Sequence, residues 1–271
     1  MYTAVMHHKY VAEWRTAVKE ELKSIEENNT WEIVEEPENK KLIHSKWVFK
    51  IKRDGKNQKF KARLVVRGFL DSNVYDLTET YTPIARLSLV RCLLSVANKF
   101  GLSLHQLDVK TAFLNGDLPD EPKIYMKIPD GYKVKTKGNK VCLLKKALYG
   151  LRVSPKRWYL RFTEAMNKLQ FTKYEFSPCL FIWRKDDRVV LLLLYVDDIL
   201  IAGNCDDRIR DVKRKLRDQF EISDLGTPQQ YLGLEIEINR ESNVIKIHQT
   251  RFIEKMIQTF GFAGAHTKST A

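Results

Sequence analysis

Hydrophobic positions recur along this chain with two periods, and the period identifies most of its elements. Trp14, Ala17, Val18, Leu22 and Ile25 stand at helical spacing among charged residues, which predicts an amphipathic helix ending near Asn28-Asn29. From Lys46 onward the period drops to two. Trp47, Phe49 and Ile51 alternate with Val48, Lys50 and Lys52; after Asp54-Gly55, Phe60, Leu64 and Val66 alternate with Lys59, Lys61, Arg63 and Arg67. Such alternation predicts a hairpin with one apolar face and a comb of cations on the other. Leu87, Val90, Leu93, Leu94 and Ala97 return to helical spacing between Ala85 and Lys99. Leu102, Leu104, Leu107 and Val109 then read as a short strand running into the turn Asn115-Gly116-Asp117, and Ile124, Met126 and Ile128 as another, ending at Pro129-Asp130-Gly131.

The second half follows the same logic. Gly150 marks a turn and Pro155 a helix start, with Trp158, Phe162, Ala165, Met166 and Leu169 on the inward face. Trp158 is therefore expected in the core. Ile209, Val212, Leu216 and Phe220 predict a further helix. Leu232, Leu234, Ile236 and Ile238 alternate as a strand whose partner carries Ile245 and Ile247 across Arg240-Glu241-Ser242; Phe252, Ile253, Met256, Ile257 and Phe260 predict a last helix. Neither a low-complexity linker nor an internal repeat interrupts the series, so the fold class expected is one α+β domain with discontinuous subdomains.

One segment breaks the rule that apolar runs stay apolar. Val189 to Ile201 reads VVLLLLYVDDILI, with Asp197 and Asp198 inside it. Taking an ionised carboxylate out of water costs several kcal/mol unless it is paired or bound to a cation, so a pair of acids at the bend of a buried hairpin asks for a counter-charge. An ordinary polar turn is the competing reading, since Asp is a common turn residue. Asp108 tips the balance, because it too ends an apolar strand. Two acid-bearing strands side by side would hold a hard divalent cation, which takes one or two carboxylates and leaves positions for water and phosphate oxygens. That is the demand of two-metal phosphoryl transfer. Successive strand residues face opposite ways, so Asp197 is expected to share the ions with Asp108, and Asp198 to be secondary.

Charge points to the same chemistry. The 271 residues carry 47 Lys plus Arg against 34 Asp plus Glu, a formal charge of +13, which implies a polyanionic partner, nucleic acid above all. A merely solvated cationic face and an anionic membrane surface compete with that reading. The longest apolar run is too short to span a bilayer and no signal-type segment opens the chain, so no membrane partner is expected. Cys92, Cys142, Cys179 and Cys205 show no paired spacing and read as reduced thiols; the six histidines, including His7-His8 and His266, form no metal-binding pattern. Lys52 or Arg53 as point charges and Arg63 as a fork-shaped donor could clamp a triphosphate or a phosphodiester backbone. The stretch from Lys145 to Arg161 is the densest in cations and interleaves Tyr149, Trp158 and Tyr159, a composition suited to phosphates and bases, although aromatics at helical spacing are more often core.

The motifs NNTWEIV, KWVFKIKRDG, FKARLVVRGF, YTPIARLSLVR, QLDVKTAFLNGDL, LKKALYGLRVSP, LLLYVDDILIAG and YLGLEIEI, taken in this order, resemble the reverse transcriptase of copia-type long-terminal-repeat retrotransposons. The resemblance covers nearly the whole chain. It implies a right-hand polymerase in a single domain over 1–271, with fingers at 1–83 and 117–153, a palm of antiparallel strands at 84–116 and 154–238, and a truncated thumb at 239–271. Asp108, Asp197 and Asp198 would hold two Mg2+ ions, for which Mn2+ can substitute. Phe113 would be the bulky residue under the incoming sugar that excludes a 2′-hydroxyl. Lys52, Arg53, Arg63, Val109, Tyr149 and Gly150 would line the nucleotide site, and Tyr231, Leu232 and Gly233 would form the primer grip. The partners implied are a primed RNA or DNA template, dNTPs, and the protease, integrase and RNase H regions of a parent polyprotein; the compartment implied is the cytoplasm, inside virus-like particles. The family usually carries a polar residue such as Gln near the position of Val153, and between Glu221 and Gln230 there is no lysine to protonate pyrophosphate. Two rivals remain open: a catalytically idle remnant that only binds nucleic acid, and a different two-metal enzyme such as a nuclease.

Overall fold

The computed structural model describes residues 2–5, 9–54, 57–68, 80–134 and 138–262, and within these it leaves out the side chains of 3, 4, 52–54 and 57. Gly55 of the expected turn, His7, His8, His266 and the side chains of Lys52 and Arg53 thus lie outside the described residues. After one helical turn at Tyr2–Val5, the chain forms α1 (Val11–Glu27), β1 (Trp31–Glu35), β2 (Leu42–Ile43), β3 (Ser45–Asp54) and β4 (Asn57–Val66). Next come α2 (Leu87–Lys99), β5 (Ser103–Val109), a 3-10 turn at Ala112–Asn115, β6 (Tyr125–Lys127), β7 (Lys140–Leu144) and α3 (Ser154–Lys168). The remainder is β8 (Thr172–Tyr174), β9 (Ser177–Lys185), β10 (Arg188–Tyr195), β11 (Asp198–Gly203), α4 (Asp206–Arg217), β12 (Ile222–Gly226), β13 (Gln230–Tyr231), β14 (Leu234–Asn239), β15 (Val244–His248) and α5 (Thr250–Thr259).

These elements gather into two compact units, each assembled from three chain segments. The first comprises Met1–Ile84, Val109–Phe171 and Leu216–Glu221. It contains a four-stranded sheet in the order β1-β7-β6-β2 and the separate β3–β4 hairpin. The apolar face of that hairpin closes on α1: Trp14 meets Phe49 and Phe60 edge-on, at 5.1 Å and 4.7 Å between ring centroids. The buried stripe of α1 is Trp14, Ala17, Val18, Glu21 and Ile25, with a carboxylate where the pattern led us to expect Leu22. The Glu21 carboxylate accepts a hydrogen bond from the Leu64 amide at 3.1 Å. Helix α3, inside the 154–238 range expected for the palm, clusters with this unit. The reason is packing: Trp158 is edge-on to Phe220 at 5.1 Å, and a Cβ on Gly116 would stand 2.7 Å from the Arg157 carbonyl carbon.

The second unit comprises Ala85–Asp108, Thr172–Lys215 and Ile222–Ala271. Its centre is a six-stranded sheet in the order β12-β5-β11-β10-β9-β8, accompanied by the small sheet β13-β14-β15. The middle strands are apolar on both faces, which is what a strand covered on both sides requires. Leu192, Leu193, Ile199, Leu200 and Ile201 are all fully buried. One face, carrying Leu104, Leu193, Leu200 and Ala202, packs with α2, Tyr231 and Ile236. On the other, the Lys213 ammonium of α4 donates to His105 Nδ1 at 2.9 Å and pairs with Asp224 at 3.1 Å. Burial and that ammonium hold His105 below the usual histidine range. The run YLGLEIEI is not one strand: β13 ends at Tyr231, Leu232 and Gly233 turn with φ of +51° and +79°, and β14 begins at Leu234. Two successive positive φ values in a two-residue loop are the usual solution for a tight hairpin.

Candidate nucleotidyl-transfer site

Asp108, Asp197 and Asp198 all lie at one end of the six-stranded sheet. Strands β10 and β11 pair in register from Val190↔Gly203 to Tyr195↔Asp198, leaving Val196 and Asp197 as the two-residue turn. The far end of this hairpin is tied by Asn204, whose Oδ1 accepts from the Val189 amide and whose Nδ2 donates to the Asp187 carbonyl, both at 2.8 Å. Val196 has φ +55°, a backbone region that a β-branched residue seldom enters, at a cost of about 1–3 kcal/mol. The turn is held strained, with Asp197 at its tip.

Strand β11 also pairs with β5, and the register sets Asp198 directly opposite Asp108, Leu200 opposite Gln106 and Ala202 opposite Leu104. Residues opposed in this way share a face, with Cβ atoms about 4.5–5.5 Å apart. Like charges so placed destabilise a sheet unless a cation lies between them. Both aspartates are half-buried, as is Asp197. Oxygen donors on a rigid frame suit a hard divalent ion. Among the described residues, however, no three His, Cys, Asp or Glu side chains are gathered closely enough to hold an ion. What is built is the opposed pair, with Asp197 in the adjoining turn. In the ladder Asp198 stands opposite Asp108, and Asp197 lies one residue earlier, in the turn.

Tyr231 lies against the same face. Its ring is 1% exposed and packs with Leu193, Leu200 and Ile236. Its hydroxyl is buried and has no hydrogen-bond partner among the described residues. Burial, and after it the charge of Asp198, hold this phenol far above its ordinary range, with Tyr195, Cys179 and Asp197 adding smaller pushes. A side chain so enclosed offers no surface to a primer. Of the three residues expected in the primer grip, only Gly233 is exposed; Leu232 is half-buried.

Three of the expected nucleotide-side residues, Arg63, Tyr149 and Phe113, meet in the first unit. The Arg63 guanidinium stacks over the Tyr149 ring at 4.6 Å, and Phe113 stands edge-on to the same ring at 5.1 Å. Phe113 is presented by the 3-10 turn at Ala112–Asn115, entered through Thr111 at φ +48° and braced by the Asn115 amide, which donates to the Thr111 and Ala112 carbonyls at 3.3 Å. Backbone contact locks Tyr149 to the hairpin, since the Val66 amide donates to the Tyr149 carbonyl at 2.7 Å. A Cβ on Gly150 would lie 2.1 Å from the Val66 carbonyl oxygen, and one on Gly68 would lie 1.9 Å from the Gly150 oxygen. Only glycine permits that approach. Val109 is a departure from expectation. It is 1% exposed, so its side chain belongs to the core and not to a binding surface.

Along the cationic face, Lys50 stands opposite Lys61 in the β3–β4 register. Like charges placed so repel one another. Periodicity alone could not show Glu21, whose buried carboxylate answers Lys61 and Arg63 from below. Burial raises its pKa, while the Leu64 amide, Arg63 and Lys61 pull it down by less.

Known proteins reproduce this arrangement of sequence and fold. The family model of the reverse transcriptase (RNA-dependent DNA polymerase) matches residues 28–271. The retrovirus-related Pol polyprotein from transposon TNT 1-94 of Nicotiana tabacum is 39% identical over 269 residues, which are 98% of this chain and 20% of that protein. The corresponding polyprotein from transposon RE1 of Arabidopsis thaliana is 33% identical over 243 residues, covering 89% of this chain and 16% of that one. Among solved structures, a foamy viral protease-reverse transcriptase in complex with double-stranded DNA superposes with a TM-score of 0.51 at 11% identity, over 95% of this chain and 38% of that chain. That likeness establishes the fold. The chain belongs to the reverse transcriptase (RNA-dependent DNA polymerase) family, and it spans about a fifth of the length of its transposon relatives.

Proposed function

We propose that this chain is the RNA-directed DNA polymerase of a copia-type retrotransposon, joining a primer 3′-hydroxyl to the α-phosphate of a deoxynucleoside triphosphate. The observation that carries the reading is the opposition of Asp108 and Asp198 on one sheet face, with Asp197 in the adjoining strained turn. Asp108, Asp197 and Asp198 would hold Mg2+, or Mn2+ in its place. When bound, such ions supply Lewis acidity to the attacking and leaving oxygens of an in-line displacement. The chain's own part is positioning and charge.

In this reading the six-stranded sheet is the palm, the β3–β4 hairpin belongs to the fingers, and α5 opens the thumb. Arg63, with Lys52 and Arg53, binds the triphosphate; Phe113 lies under the sugar and turns away ribonucleotides; Tyr149-Gly150 flank the nascent pair. Base pairing with a primed RNA or DNA template selects the nucleotide, so the protein needs backbone contacts more than sequence readout, and its binding weakens with salt. The parent polyprotein would supply protease, integrase and RNase H, and virus-like particles in the cytoplasm would house the reaction. Among the described residues no helix is long and apolar enough to cross a membrane.

Primer extension on an RNA template with Mg2+ tests the reading. Incorporation that disappears in Asp108→Asn supports it. A chain that binds primer-template but never extends it is a remnant, and one that cleaves the strand is a nuclease. Replacing Phe113 by Ala should raise ribonucleotide use in a polymerase and leave a nuclease unaffected.

A further inference from the structure

Strand β5 runs from Ser103, opposite Gly203, to Asp108, opposite Asp198, before it ends at Val109. At the usual rise per strand residue its first position is about 17 Å from the carboxylate pair. A cavity of about 490 Å3 lies at that far end, with all of its walls in the second unit. Ser103, His105, Arg210, Lys213, Thr227 and Arg240 line it, against a single carboxylate, Asp206. We infer that this cavity is a second anion site, which takes the phosphate monoester of a nucleotide, either a free nucleoside monophosphate or the 5′ end of a strand. A phosphate held so far from Asp108 and Asp198 is not the one that reacts, so the inference goes beyond the polymerase reading and does not depend on it.

The donors on the walls are only partly spent inside the protein. The Lys213 ammonium donates to His105 Nδ1 at 2.9 Å and pairs with Asp224 at 3.1 Å, while Arg210 pairs with Asp207. An ammonium has no lone pair, so Nδ1 is the acceptor and the neutral imidazole carries its proton on Nε2. Burial, and after it Lys213, lowers the pKa of this ring and so favours that neutral form. The Arg240 guanidinium gives one N–H to the Leu102 carbonyl at 2.8 Å, and no carboxylate pairs with it among the described residues. Four of its five N–H groups remain for a ligand. Asp207 and Asp224 balance two of the three cations without lining the cavity, so recognition rests on N–H and O–H donors as much as on net charge. A phosphate monoester supplies the matching acceptors, three terminal oxygens with nearly two negative charges. Leu104, Ile209 and Ile238 complete the walls with aliphatic surface, and the volume falls in the range of small-ligand sites, which suits a nucleoside beside the phosphate better than a bare ion.

Nuclear magnetic resonance of the whole chain, labelled with 15N at histidine, tests the site in EDTA, where no divalent ion loads the carboxylates. The His105 signal is assigned by its loss in His105→Gln. Thymidine 5′-monophosphate should shift that signal saturably at millimolar concentration, and thymidine should leave it in place. Arg240→Gln should weaken the midpoint roughly tenfold, the loss expected of a charged donor. Arg210→Gln, which leaves the Leu102 carbonyl its partner, should weaken it about threefold and decides the matter if Arg240→Gln melts early. A 5′-phosphorylated oligothymidylate that shifts His105 where its 5′-hydroxyl twin does not identifies a strand end as the source. A response to the mononucleotide alone identifies the free nucleotide; both outcomes uphold the site. The inference is overturned if neither phosphate moves His105, if thymidine or the 5′-hydroxyl strand moves it equally, or if both arginine variants keep the wild-type midpoint. No arm requires primer extension, so an inactive polymerase would leave the result standing.

Discussion

In the β10–β11 hairpin Leu192, Leu193, Ile199, Leu200 and Ile201 are all fully buried, whereas along β3–β4 the buried Trp47, Ala62, Leu64 and Val66 alternate with residues that reach solvent. Both are antiparallel ladders, yet they hold charge in opposite ways. The first is covered on both faces and admits ionisable groups only at its strained end, so its carboxylates inherit the stiffness of a packed core. The second spreads cations over an exposed face and is fastened by its outer edge, through the Leu64 amide to Glu21 and the Val66 amide to the Tyr149 carbonyl. Rigid placement suits groups that must meet a reacting phosphorus atom to within a fraction of an ångström. A fastened but solvated comb suits a triphosphate, which needs charge and can tolerate adjustment.

If that contrast is right, substitutions in the two hairpins will fail in different kinetic constants. The largest effect belongs to the acidic turn. Asp197→Asn should lower kcat by on the order of a thousandfold with nucleotide KM little changed, and Asp198→Asn should lose at least tenfold less. Single-turnover incorporation measures both. Equal losses would abolish the ranking, and the register that places Asp198 opposite Asp108 makes this a sharp test. Next in size is the fastening of the basic hairpin. Gly150 has φ +92°, and its added Cβ would stand 2.1 Å from the Val66 oxygen, so Gly150→Ala should destabilise the protein by about 3 kcal/mol. A thermal melt reads it, and faster amide exchange confined to β4 and its neighbours would locate it.

Arg63→Lys comes third. The planar guanidinium lies 4.6 Å over the Tyr149 ring, and an ammonium can reproduce neither that stack nor a forked contact to phosphate. Nucleotide KM should rise about tenfold, with kcat within about threefold of wild type. A fall in kcat alone would place Arg63 with the rigid group and break the contrast.

The same two regions show why some of this was legible from residues and some was not. Alternation located β3 and β4, and short apolar runs located β5, β10 and β11, because burial of one face or of both leaves its own pattern in the sequence. Two acids inside VVLLLLYVDDILI stood out because apolar context makes an ionised group costly. Periodicity failed where a polar group did an apolar residue's job. Glu21 fills a core position of α1 because a strand edge needs an acceptor there, and no spacing rule reveals a partner 43 positions away. It failed again at Leu232-Gly233, where the alternation continues straight through a turn made by two positive φ values. Val109 and Tyr231 were assigned to binding surfaces by motif, and each is buried because its neighbours on the sheet face are covered.

Glu21→Gln gives the smallest effect and the finest test of how the basic hairpin is fastened. Gln keeps an oxygen for the Leu64 amide and removes the charge, so the strand edge stays capped while the anion beneath Arg63 and Lys61 is lost. Burial raises the Glu21 pKa by more than its partners lower it, so the folded state holds this proton more tightly than the unfolded chain. The sign follows: the associated stability is fully present below the ordinary carboxylate range, about pH 4, and is lost as pH rises through the raised value. Wild type should therefore lose melting temperature across that window while Glu21→Gln stays flat, the two curves crossing so that the variant melts at or slightly above wild type at neutral pH. Nucleotide KM should move by less than about threefold, since Arg63 retains its seat on Tyr149. If the variant instead melts well below wild type at pH 7, the charge itself fastens the hairpin to α1, and the solvated comb is held by ion pairing more than by its backbone edge.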